Sequence, residues 1–443
     1  MKGPARRRVL IVTSSYAPAM IADMHRARHL AWELPAHGWD VEVLSPDESY
    51  QTPSCLDEDS AGFFAPGTPV AAAPESRPWL YRALGMRSIG WRSMRAMRRA
   101  GDRLLARGRF DLVYISTTQF PLFLLGPRWQ RRHGVPFVLD FHDPCFREDA
   151  APPVWAQRSL RHEVSRRLAR YIESRAVAAA SGLVAVSQDY LATLRRRYAH
   201  QRPKWLLPGK CATIPFGVLP RDLEEAGKAR EAAEVPAGEL LCLVYVGVGG
   251  PVMARSFGLF CRTMARVREA APEAAAGLRV GLYGTMMGWS EGDPRPLAQA
   301  AAAHGVADLV QEDPGRVSYR RSLQLLLAAR GALILGVDDA AYMPSKLFTY
   351  GYSGKPLLAV VRRDGPAYEA MRGLQDPSAA LWFEADREIS PSEGAAVLET
   401  WLGMARRHEA TDRRISCEPF LASTMARHHA ELFAESCAGG QAR

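Results

Sequence analysis

Lysine is scarce in this 443-residue chain. Only six occur (Lys2, Lys204, Lys210, Lys228, Lys346 and Lys355), against 51 arginines. A lysine inside a structured motif therefore stands out. Cysteine is neither paired nor clustered: the seven (Cys55, Cys145, Cys211, Cys242, Cys261, Cys417 and Cys437) are odd in number and contain no C-x-x-C. That spacing suggests neither a disulfide framework nor a cysteine zinc site and fits a reducing compartment. Long apolar runs are also missing. No stretch approaches the ~18 residues of a membrane span, and Val9–Val12 is too short for a signal-peptide core. A cytoplasmic location is expected, with contact at the cytoplasmic membrane face left open. No short internal repeat appears, so a solenoid or propeller is not indicated.

What is present suits a globular protein. The chain is 47% apolar and 23% charged, ordinary values for a packed core, and its length suits two domains of roughly 200 residues. The net charge of +10 has two readings: attraction to an anionic partner such as a nucleotide, a diphospho-lipid or a membrane face, or a solvated arginine-rich surface. Nucleic acid is not an expected partner.

Hydrophobic patterning gives the architecture. Val9–Val12 reads as a buried parallel strand, Ala27, Leu30, Ala31 and Leu34 as one face of a helix ended by Gly38, and Val41–Leu44 as the next strand. This is the scale of a βαβ unit. Further strands are predicted at 111–115, 136–141, 182–187 and 212–217, with a helix at 190–198. Residues 45–78, rich in Pro, Ser and Gly, read as a long irregular insertion. Residues 218–238 read as a charged connector. A second series follows, with strands opening at Leu240 and at 278–283, 332–335 and 356–361, and a helix at 322–330. The fold class is α/β, two Rossmann-like doubly wound parallel sheets.

Six segments in order carry a family likeness: SSYAPAMIADMHRARHLAWELPAHGWDVEVLSP, VPFVLDFHDP, GLVAVSQDYLATL, ATIPFGV, LVYVGVGG and MPSKLFTYGYSGKPLLAV. Together they resemble the GT-B glycosyltransferases, in particular the retaining family 4-like enzymes, over about residues 8 to 365. The resemblance implies two domains facing a central cleft: an acceptor-binding domain at 1–217, the connector at 218–238, a donor-binding domain at 239–417, and a helix within 418–443 that crosses back to the first domain.

The resemblance also implies site residues. Gly249 and Gly250 would let backbone approach the donor, although tight packing also explains such glycines. Arg255 would grip the diphosphate. Gly284 and Thr285 follow a strand's C-terminal end, where open sheets bind ligands, and Arg316 would meet the base. Ser345, Lys346 and Thr349 lie where a short helix begins, whose free amides suit a phosphate. Lys346 would add a point charge; otherwise it is a solvated helix lysine. His142 and Asp143, at a strand end, would be catalytic, with Asp140 two residues back on the same side to orient the imidazole. Tyr16 and Arg26 would lie on the acceptor side.

The expected reaction is front-face displacement with retention, using a nucleotide diphosphate sugar as donor substrate, no cofactor and no metal. Asp338-Asp339 resembles half of an acidic metal pair, and a loop-capping role is the expectation. The acceptor would be a glycan, a lipid-linked molecule or a small molecule, in surface polysaccharide or glycoconjugate biosynthesis. One departure from the family is plain. Where two glutamates seven residues apart are usual, this chain has Ala341 and Thr349. That keeps two alternatives open, a non-catalytic homologue that binds nucleotide or carbohydrate, and a nucleotide-sugar epimerase. The segment Trp79–Leu105 alternates Met, aromatics and Arg; a membrane-surface helix and an ordinary packed helix with a wet basic face both fit.

Overall fold

The computed structural model describes residues 6–72, 74, 88–146, 160–228, 241–340, 342–374, 380–407 and 417–438. Two compact units emerge, Met1–Phe216 with Ala422–Arg443, and Gly217–Leu421.

The first unit is built on a seven-stranded sheet. Its strands are β1 (Arg7–Val12), β2 (Trp39–Ser45), β3 (Pro69–Ala71), β4 (Leu112–Ser116), β5 (Phe137–Phe141), β6 (Gly182–Ala185) and β7 (Cys211–Thr213), in the order β3-β2-β1-β4-β5-β6-β7. Every pairing is parallel, so helices must cover both faces, and the strand centres are mostly apolar. On one face Leu10, Val12, Val113, Ile115 and Leu139 join a core with Met97, Trp129, Ile172 and Ala176. These come from helices α2 (Ile89–Arg107), α3 (Leu125–His133) and α4 (Leu160–Ala179). On the other face Phe433 of the C-terminal helix (Ala422–Cys437) lies 5.0 Å from Tyr114 and 5.5 Å from Trp39, beside α1 (His25–Glu33).

Two expectations meet a different local structure, and a third reading is decided between its alternatives. The stretch 45–78 is not wholly irregular: Pro69–Ala71 adds an edge strand to β2, and short 3-10 turns precede it. Three residues with a proline at the start are too little for periodicity to register. The α2 segment follows the packed reading of Trp79–Leu105, with Gly90, Ser93, Met97, Ala100, Gly101 and Leu105 buried; Trp79 and Met86 lie outside the described residues. Within the charged connector, Pro220–Lys228 forms helix α6, whose Asp222 accepts a 2.7 Å hydrogen bond from Tyr319 Oη in the second unit. The rest of that connector, 229–238, is not described.

The second unit holds β8 (Leu241–Val246), β9 (Leu278–Tyr283), β10 (Val310–Asp313), β11 (Gly331–Leu335), β12 (Leu357–Arg362) and β13 (Ala380–Phe383), all parallel, in the order β10-β9-β8-β11-β12-β13. Helix α7 (Ala254–Ala270) supplies Phe257, Phe260, Cys261 and Met264 to its core, and Trp401 lies under the sheet against Gly331. In each sheet the chain reverses its direction of progress once, between β1 and β4 and between β8 and β11. Loops leaving the C-terminal ends of strands at such a point form a crevice where open sheets take ligands. No described helix is long and apolar enough to cross a membrane.

Candidate functional site

In the first unit the chemistry gathers where β4 and β5 end. β5 leaves the sheet at Phe141, and the next side chain, His142, is 5% exposed. Its Nε2 lies 2.7 Å from Asp140 Oδ2 and 3.0 Å from Ser116 Oγ, and Ser116 Oγ is 2.8 Å from the same carboxylate oxygen. The alternation of a strand sends Asp140 and His142 to one side. Arg26, from α1, completes the group with Nε 3.0 Å from Asp140 Oδ2, both side chains being fully buried. It also donates to the Ile214 carbonyl (2.8 Å) and lies 4.9 Å from the Phe216 ring, whose edge contact with His142 spans 5.2 Å.

Burial by itself would push the Asp140 carboxyl up, but the Arg26 guanidinium and the His142 ring outweigh it and hold the acid well below the usual carboxylate range. The carboxylate beside the imidazole is thus Asp140, while Asp143 stands on the exposed loop that follows. Tyr16 and Arg26 are interior residues: the Tyr16 ring packs edge-on against Phe64 at 5.0 Å with its hydroxyl 3.4 Å from Thr68 Oγ1.

Below this group, Tyr114 Oη lies 2.9 Å from His429 Nε2 of the C-terminal helix, and His429 Nδ1 lies 2.7 Å from the Met425 carbonyl oxygen. Neither Ser116 nor His429 stood out in the sequence. Their partners are distant in the chain, and nothing in local spacing announces them.

In the second unit the turn after β8 is the centre. Gly247 has φ +149°, and a Cβ there would overlap the Lys346 Nζ and Cε, so only glycine lets this ammonium lie over the backbone. Lys346 opens α10 (Lys346–Tyr352). It is partly covered, burial lowers its pKa, and among the described residues no carboxylate or other hydrogen-bonding group meets its ammonium. Tyr350, one turn on, fixes the helix to the strand: its hydroxyl is 3.1 Å from Val246 N and 3.3 Å from Val246 O.

Gly249 N donates to the Thr285 carbonyl (2.8 Å), which joins the turn to the Gly284–Thr285 loop after β9. Gly284 has φ +69° and donates to the Asp313 carbonyl at 2.9 Å. The Thr285 hydroxyl is 2.6 Å from buried Glu312, whose other oxygen accepts from Ala298 N at 2.8 Å, near the start of helix α8 (Pro296–Ala303). That hydroxyl is committed inside the fold, and its backbone is what faces the turn.

Gly249, Gly250, Gly284, Thr285 and Lys346 therefore lie together at one sheet edge, bordered by the loop that carries exposed Arg316. Ser345 is exposed and Thr349 half-buried on α10; Ala341 is outside the described residues. Arg255 is turned elsewhere. Its guanidinium donates to Asp338 Oδ2 at 2.9 Å and to the Glu384 carbonyl, and lies 4.9 Å from the Phe383 ring. Asp338 accepts a second arginine, Arg362, at 2.7 Å. Among the described residues no group of three His, Cys, Asp or Glu could hold a metal ion.

Two doubly wound parallel α/β units in one chain define the GT-B fold. Comparison with known structures agrees. HepE of Anabaena, in complex with UDP and glucose, is 14% identical with a TM-score of 0.58, over 97% of this chain and 100% of that one. A UDP-forming α,α-trehalose-phosphate synthase from Burkholderia xenovorans is 13% identical with a TM-score of 0.59, over 96% and 98%. A glycosyltransferase from Rickettsia africae is 10% identical with a TM-score of 0.57, over 97% and 98%. Comparison with curated protein sequences gives no match. Residues 25–207 match the family described as glycosyl transferase 4-like domain.

Proposed function

We propose that the protein is a glycosyltransferase that moves a sugar from a nucleotide diphosphate sugar to a glycan, lipid-linked or small-molecule acceptor. We place it in surface polysaccharide or glycoconjugate assembly, with retention at the sugar carbon. The observation that carries this reading is Lys346. A half-covered ammonium without an anionic partner among the described residues lies over a glycine turn, at the switch point of a parallel sheet. A diphosphate supplies the missing charge, and the Gly247–Gly250 backbone allows it close approach. The UDP named for HepE and for the trehalose-phosphate synthase supports a uridine donor.

In the reaction the bond from sugar C1 to the diphosphate oxygen breaks and a bond from C1 to the acceptor oxygen forms. The acceptor's proton passes to the departing phosphate oxygen, and Lys346 stabilises the charge that develops there. His142 engages a hydroxyl in the transfer step. Arg255 would assist only by leaving Asp338. With Asp338 held by two arginines, the scheme uses no divalent cation.

A second reading, a binding homologue without turnover, is favoured by Thr349 standing where the family usually has a glutamate. Single-turnover transfer in excess chelator, run beside nucleotide affinity for the wild type and His142→Ala, separates the two. The expected result is transfer by the wild type, a loss of about 10²-fold or more in the variant, and near-equal nucleotide affinity. Absence of transfer from every nucleotide sugar tried would favour the binding homologue, and loss of turnover restored by magnesium or manganese would reject metal independence.

A further inference from the structure

Strand β10 reads VQED, and its inward position is Glu312, which is buried. A strand of a parallel sheet ordinarily fills such a position with an apolar side chain. A buried carboxyl group is tolerated where its oxygens are hydrogen-bonded, and both oxygens of Glu312 are. One accepts from the Thr285 hydroxyl at 2.6 Å, the other from Ala298 N at 2.8 Å. Thr285 lies in the loop after β9 and is itself buried. Ala298 is in the first turn of α8, a helix for which the preceding residue, Arg295, makes no side-chain cap hydrogen bond. Glu312 therefore supplies, from 14 residues away, a cap that the local sequence lacks.

Gly249 rests on both partners of Glu312. Its N–H donates to the Thr285 carbonyl at 2.8 Å. A Cβ on Gly249 would lie 3.4 Å from Leu297 Cδ1, beside Ala298 in α8, and 3.9 Å from Thr285 Cβ. The surrounding chain is tied through backbone groups: Gly247 N donates to the Tyr283 carbonyl at 2.8 Å and Met286 N to the Pro314 carbonyl at 3.2 Å. Glu312 adds a side-chain tie between the loop after β9 and α8, directly behind the glycine turn.

We infer that Glu312 positions the glycine turn: by holding Thr285 and the first turn of α8 together it fixes Gly249 against them, and with Gly249 the Gly247–Gly250 backbone over which Lys346 lies. Glu312 acts through Thr285 and Leu297 and does not itself touch a ligand. The Thr285 hydroxyl serves as a link in this tie, so its contribution to a bound nucleotide is indirect. The consequence for nucleotide binding rests on the function proposed above, whereas the positioning of the turn does not.

The test pairs amide hydrogen exchange over residues 246–253 with titration of UDP, for the wild type, Glu312→Ala, Glu312→Gln and Thr285→Val, well below the temperature at which any of them unfolds. In Glu312→Ala the Gly249 amide should exchange about 10-fold faster or more, the protection that one hydrogen bond confers. UDP affinity should fall roughly 3- to 30-fold. Glu312→Gln keeps an acceptor for Ala298 N and a donor for the Thr285 oxygen, and should recover most of both losses. Thr285→Val cuts the tie from the other side and should repeat the faster exchange; it carries the test if Glu312→Ala does not fold. Unchanged exchange at Gly249 in the folded variants, or a rise spread evenly over β8, β9 and β11, would overturn the inference. Faster exchange with UDP affinity unchanged would leave the positioning intact and sink its consequence for binding. A wild type that binds no UDP would tell against the proposed function, and the exchange alone would then decide the positioning.

Discussion

His429 is a histidine that the fold keeps neutral. Burial, with Arg26 nearby, pushes its pKa down to about 3, against about 6.5 in an unfolded chain. Between those values the unfolded state holds a proton that the folded state does not. Stability from this residue is therefore complete above about pH 6.5 and is lost as the pH falls toward 3. His429→Gln should make the urea-derived stability curve between pH 6 and 4 shallower, by up to about 1.4 kcal/mol per pH unit. An unchanged slope would mean that the imidazole titrates normally in the fold. At this scale the sequence is legible only along local spacing. Asp140 and His142 are two apart on a strand and could be paired by alternation, and Lys346 was marked by its rarity and its motif. Arg26 with Asp140, Tyr114 with His429, and Lys346 over Gly247 join residues about a hundred or more positions apart, and no periodicity encodes such a meeting.

The elements divide in the same way. The interior strands β1, β4, β5, β8, β9, β11 and β12 each hold a mostly apolar run because both of their faces are covered, and the sequence announces them. The four edge strands β3, β7, β10 and β13 are three or four residues long. β10, VQED, is mostly polar, so its strand character comes from the ladder it joins and not from its composition. Helix α2 is the packed one of the two helices that its pattern allowed. Gly101 sits against Trp129 so closely that a Cβ would overlap the indole. Gly101→Ala sets two effects against each other. Helix propensity favours alanine by about 1 kcal/mol, while overpacking costs about 1–3 kcal/mol. Because the partner is a fully buried, rigid ring, the clash should win. Chemical denaturation should show a net loss of stability, and a more stable variant would show that the Trp129 pocket relaxes freely.

At the scale of the whole molecule, the surplus of ten positive charges proved a poor guide to the site. Several of the arginines that looked available are spent internally: Arg26 on Asp140, Arg197 on buried Glu173 at 3.0 Å, and Arg255 and Arg362 on Asp338. Among the described residues at the C-terminal end of the second sheet, Lys346 is a cation without a hydrogen-bonding partner. Isothermal titration of UDP and UDP-glucose into the folded wild type and Lys346→Ala tests its role most directly. The account predicts measurable binding by the wild type and an affinity lower by about 1.5–3 kcal/mol in the variant, the worth of a charge-assisted contact, or roughly 10- to 150-fold. Equal affinities in two folded proteins, or no binding of any nucleotide diphosphate by the wild type, would contradict it.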